Sequence, residues 1–191
     1  MAQKQVSGIL RGALIACEDG DVAIEAVKIG DIVNTLSDGP QVVRWVGSTR
    51  LTSPMVRFQA GALGENTPTQ DLWVMPAQRM VISGWRAEVL FGEARVLVQA
   101  EDLLNGGSIG LSGGNRETEV FYILFDKHEI IKANGALSES FYPSRLALKA
   151  LSPKTYAELA ERVPELGTLA PNRPFALVCP AISAAEAALL R

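Results

Sequence analysis

The chain has 191 residues, of which 48% are hydrophobic and 20% charged, and its formal net charge is -3. That length suits one domain burying roughly 70% of its unfolded surface, and the composition is too apolar for a disordered chain. A pI near 5.3 with scattered basic residues supplies no electropositive face for a phosphate backbone, and no long uncharged apolar run offers a membrane span, so neither nucleic acid nor a bilayer is expected as a partner.

The first segment, MAQKQVSGILRGALIAC, has no uninterrupted apolar core of the signal-peptide kind, which predicts a cytoplasmic protein or one exported by a non-classical route. Residues 1–6 are expected to form a flexible N-terminus. From Val22 to about Ile131 the text breaks into short β segments, VAIEAV, IVNTL and QVVRWVG, separated by DGD, KIGD and SDGP. Asp and Gly tolerate positive φ and bond to their own backbone, so these phrases predict turns. FQAGALGENTPTQDL and LNGGSIGLSGGNRET predict loops, the second a mobile excursion. AEVLFGEARVLVQA predicts a hairpin with Gly92 in its turn.

In VFYILFDKHEIIKANG the apolar run stops at Asp126 and then resumes, which predicts two strands flanking a DKHE corner. That corner holds His128, the single histidine of the chain. Ser152 followed by Pro153 marks a helix start, with Tyr156, Leu159, Ala160 and Val163 on one face and Pro164 and Gly167 closing it. RPFALVCP is expected to be a last strand and SAAEAALLR a frayed turn. Many short strands and few helical patterns predict an all-β sandwich or barrel-like fold.

Several chemistries lack their residues. Cys17 and Cys179 are too far apart for a two-pair zinc site, so no metal is expected, and buried thiols are favoured over a disulfide. SGGNRET lacks the lysine and glycine spacing of a phosphate loop, no serine lies in a nucleophile-elbow phrase, and no cofactor is expected. Glu88 and Glu93, flanking the expected hairpin turn, read as solvated.

Read together, GILRGALIACEDGDVAIEAVKIGDIV, PQVVRWVG, DLWVMPAQRMVIS and FYILFDKHEIIKANGALSESF resemble the successive blocks of a Hedgehog/intein, or Hint, domain of the bacterial stand-alone branch. The resemblance implies a pseudo-twofold all-β horseshoe of short strands over residues 7–145, followed by a C-terminal helical extension over 146–191 that packs on it. It also implies self-cleavage, in which a cysteine or serine at the domain start attacks the preceding carbonyl while a threonine and histidine stabilise and protonate the departing groups.

This chain departs from that pattern. Aligning the start block on Gly12 places Gly8 at the nucleophile, Ile9 at the aromatic and Ala13 at the threonine; Ser7 is one residue out of register. Gln78 replaces the middle histidine and cannot deliver a proton near neutral pH; bridging backbone groups at a strand end is its plain role. Asp126 and His128 match the late block, and on an extended strand both would face one side, where the carboxylate could orient the imidazole; Tyr122 stands where a further histidine is common. The plain alternative is that His128 fixes the corner through the backbone.

Two functions follow. One is a degenerate domain without self-cleaving activity that serves as a structural or interaction module for an unidentified protein partner. The other is residual processing through Ser7 assisted by Asp126 and His128. A third, weaker expectation is a small-molecule cleft bordered by Trp45, Gln78 and Tyr122, with Arg44 and Arg79 as anion ligands or as plain solvent-facing side chains.

Overall fold

The computed structural model describes residues 6–168 and 176–190. It is an all-β structure in two curled antiparallel sheets. The first is a closed barrel of β1 (Ile9–Leu10), β6 (Trp45–Phe58), β7 (Leu72–Val74) and β10 (Ile109–Leu124), in the order β1, β10, β6, β7. The second has β2 (Leu14–Cys17), β4 (Ile32–Thr35), β5 (Gly39–Val42), β8 (Arg79–Ser83), β9 (Arg95–Gln99), β11 (Ile130–Ala133) and β12 (Ala136–Glu139), in the order β5, β4, β2, β11, β12, β8, β9, while β3 (Gly20–Ala23) pairs with β2.

The expected turns carry this topology. Gly20 and Gly39 take φ of 115° and 75° at the DGD and SDGP turns, conformations that a side chain rarely adopts. A further turn, not among those expected, has Asn134 and Gly135 both left-handed, at φ 48° and 78°, the geometry of a two-residue hairpin whose twist suits its strands. That turn sets the register of β11 on β12, pairing Ile130 with Glu139, and so carries Glu139 back toward the DKHE corner. Two large apolar clusters and a small one fill the interior among the described residues. One contains Ile15, Phe58, Leu72, Val74 and Phe125; the second joins Trp45, Tyr122 and Phe141 to Leu159 of α3 (Pro153–Arg162) and to Val163 just after it; the small one is Val81, Leu97 and Ile130.

Several expectations are corrected. AEVLFG is not a strand: α1 (Trp85–Phe91) forms there, ended by Gly92 at φ 69° as a left-handed cap, and only the second arm is a strand. The Gly-rich segment expected as a mobile loop is the first half of β10, paired with β6 on both sides of a register shift between Gly113 and Glu117. The FQAGALGENTPTQDL loop and the corner between β10 and β11 are as expected.

Beyond the sheets there are α2 (Arg145–Ala150), α3, α4 (Glu165–Thr168) and α5 (Ala184–Ala187), rather than one helix. Ser152 caps α3 as predicted, accepting from Thr155 N–H at 3.1 Å, but Tyr156 is exposed and the buried face runs through Thr155, Leu159 and Val163. The end is not frayed: Ser183 and Glu186 form a reciprocal capping box, and Ala187 is buried. The predicted last strand at 173–180 lies partly outside the described residues. Its described end hydrogen-bonds β9, where Leu97 N–H donates to Pro180 C=O at 2.8 Å and Ile182 N–H donates to Leu97 C=O at 3.0 Å. The expected flexible N-terminus lies outside the described residues except Val6, which is buried.

Candidate functional site

Residue 8 enters the barrel wall beside β1, whose register puts Ile9 opposite Phe121 of β10. The Gly8 carbonyl accepts from Met75 N–H at 2.9 Å, and its N–H donates to Gln78 Oε1 at 2.7 Å. Gly8 sits at φ 130°, and a β-carbon built on it would lie far inside contact distance of Val120 Cγ1, 3.0 Å from Tyr122 Cε1 and 3.1 Å from the Phe121 carbonyl oxygen. The position therefore has no side chain and no room for one. Ala13, which the resemblance set against a threonine, is buried, and its carbonyl accepts from Ile24 N–H at 2.8 Å.

Gln78 is buried and fully used. Its Nε2 donates to Ser138 Oγ and to the Glu139 carbonyl, each at 2.9 Å, while Oε1 faces Gly8 N–H. Those partners fix the amide orientation. The side chain thus presents an acceptor to residue 8 and holds no spare donor for a developing oxyanion, matching the bridging role read from its position.

His128 is buried at the end of this network. Its Nδ1 accepts from Val178 N–H at 3.2 Å, which leaves the proton on Nε2, 3.1 Å from Glu139 Oε2. Glu139 also accepts from the backbone N–H and the guanidinium of Arg79, both at 3.1 Å, so a buried carboxylate is met by three donors. Tyr142 closes the cluster, its ring 5.0 Å from the imidazole and 5.6 Å below the Arg79 guanidinium.

Asp126 is not part of it. Its carboxylate is exposed and pairs with Arg44 at 2.8 Å, and Arg44 also pairs with Glu165. The strand ends before Asp126, so the two-residue alternation that would put Asp126 and His128 on one face does not operate. Arg44 and Arg79 are both part-buried ion-pair partners, not solvent-facing side chains. Glu139 and Val178 escaped the sequence reading: Glu139 meets His128 through the hairpin register, and Val178 through a tail whose fold carries no local pattern.

The cleft expected near Trp45, Gln78 and Tyr122 is filled. Trp45 stacks on Tyr122 at 6.4 Å between centroids, and Phe141 packs edge-on against Tyr122 at 5.3 Å. The cavity against Gly8, Gln78 and Tyr122 measures about 10 Å³, about the space of a single water. Burial pushes the Tyr122 phenol above its ordinary value, with the Thr49 hydroxyl acting in the opposite direction. Cys17 and Cys179 are free thiols, both pushed up by burial, which lowers their thiolate fraction and makes them poor substitute nucleophiles. Among the described residues no His, Cys, Asp and Glu group could hold a metal ion, and no helix is long and apolar enough to cross a membrane.

A model of the Hint domain family matches residues 8–145. Comparison with curated proteins gave no match. Among solved structures, the bacterial intein-like domain from Clostridium thermocellum aligns over 70% of this chain and 98% of its own, at 14% identity and a TM-score of 0.53. The AceL NrdHF class 3 split intein aligns over 70% of this chain and 96% of its own, at 16% identity and a TM-score of 0.49. The DnaB intein from Synechocystis sp. PCC 6803 covers 70% and 99%, at 13% identity and a TM-score of 0.44.

Proposed function

The chain belongs to the Hint domain family, and from that premise we propose that it is a member without self-cleaving activity that works as a structural or interaction module. One observation carries the reading: at the nucleophile's position stands Gly8, in a left-handed conformation, with Val120, Tyr122 and the Phe121 backbone occupying the place of a side chain. Removing the nucleophile of a unit that acts together forfeits most of its acceleration, around a million-fold in studied hydrolases, so further losses cost little. Gln78 in place of a proton donor and Ala13 in place of a threonine fit a site no longer held to that chemistry.

The competing reading is residual processing through Ser7 with help from Asp126 and His128. Its support is the chain of bonds from His128 through Glu139 and Gln78 to the N–H of Gly8. That chain ends on an acceptor at an amide nitrogen, which holds the N–H in place and brings no proton to a departing amine. Asp126, engaged with Arg44, adds nothing to it.

Intact mass decides between them. The purified chain, incubated for days with a strong thiol and separately with hydroxylamine, is expected to keep its full mass. A fragment beginning at Ser7 or Gly8, with its rate raised by either nucleophile, would establish processing instead.

A further inference from the structure

A large cavity lies away from the Gly8 corner. It is an open groove of about 1230 Å³ along β8, α1 and the β11–β12 hairpin, walled on its far side by residues 62–64 and 103–105. That exceeds the roughly 300–1,000 Å³ of a small-ligand pocket, and the groove is part-open to solvent, which suits a chain segment better than an enclosed molecule. Leu63, Leu104 and Leu137 give it apolar walls, and Trp85, 69% exposed at the start of α1, stands at the rim. An exposed Trp beside an apolar groove is the kind of side chain on which interface energy concentrates.

The charges select the occupant. In a chain with 18 basic and 21 acidic residues, the charged residues lining this groove among the described residues are Arg86 and Lys132, and no carboxylate side chain is among them. Among the described residues neither cation has a carboxylate partner; Arg86 lies over the Trp85 ring at 5.5 Å. Both side chains are exposed and hydrated, ready to meet negative charge brought by a ligand.

We propose that this groove is a docking site for an acidic, apolar polypeptide segment: leucine-like side chains enter the apolar channel, Trp85 closes over them, and Arg86 and Lys132 meet carboxylates along the segment. The proposal stands apart from the self-cleavage question, because scission at residue 8 would leave the groove unchanged.

A fluorescein-labelled peptide of alternating Glu and Leu, long enough to cross the groove at about 3.3 Å per residue, is titrated with the full chain and followed by anisotropy. Saturable binding is expected, about tenfold tighter than for the peptide with Lys in place of Glu or the one with Gln in place of Leu, and weakened by added salt. The double variant R86E/K132E, checked for native circular dichroism, is expected to reverse the preference toward the Lys–Leu peptide. Equal binding of the Glu–Leu and Lys–Leu peptides, or an unchanged preference in the double variant, overturns the proposal. So does stoichiometric displacement by laurate, which would assign the groove to a small amphiphile, or a concentration-dependent dimer that excludes the peptide, which would assign it to a second copy.

Discussion

The Gly8 corner and the groove beside α1 differ in almost every respect that decides what a protein surface can do. At Gly8 the backbone N–H, both ends of the Gln78 amide and His128 Nε2 each meet a partner within 3.1 Å, and the cavity beside them is about 10 Å³. In the groove about 1230 Å³ stands open, apolar side chains reach the surface, and two cations lack counter-charges among the described residues. The contrast teaches that in this chain the corner around Gly8 is built like core, while open apolar surface and unpaired charge have accumulated elsewhere.

The largest expected effect is at the closed corner. Gly8→Ala introduces a methyl group into Val120 and Tyr122 at a left-handed φ, and overpacking together with backbone strain should cost about 4 kcal/mol in urea unfolding. A loss below about 1 kcal/mol would mean that the corner is looser than its packing implies. Glu139→Ala comes next, leaving the Arg79 N–H, the Arg79 guanidinium and His128 Nε2 without their common acceptor; about 2 to 3 kcal/mol is expected by the same measurement. The smallest effect belongs to the groove. Trp85→Ala should change stability by no more than about 0.5 kcal/mol, since the side chain has little to lose, and a larger loss would show that α1 is core rather than open surface.

Much of the fold was legible in the sequence, and the reason is visible in particular phrases. Turns built on Asp-Gly have few alternatives, and Ser152-Pro153 has a single good use at a helix start. The family blocks in order singled out Gly8, Gln78 and His128 as the positions to inspect. What the sequence hid has physical causes too. In α1 the apolar residues Trp85, Val89 and Leu90 face solvent and only Ala87 is buried, so the usual inward stripe is absent and the text reads as a strand. The Gly-rich start of β10 is a strand because β6 supplies partners on both sides of the register shift, a tertiary cause that composition does not record. The pairing of His128 with Glu139 across a hairpin depends on register, which a two-residue turn sets and a linear reading of DKHE overlooks.

The bond pattern around Leu97 has one more consequence. A strand at the margin of a sheet normally offers its free amides and carbonyls to any passing chain, and aggregation between molecules begins there. Here Pro180 and Ile182 already occupy the amide and carbonyl of Leu97, midway along β9, with Val178 pinned to the buried imidazole a few residues earlier. The tail thereby acts as a guard rail: it spends its own backbone on the vulnerable border and keeps neighbouring molecules from zipping onto it.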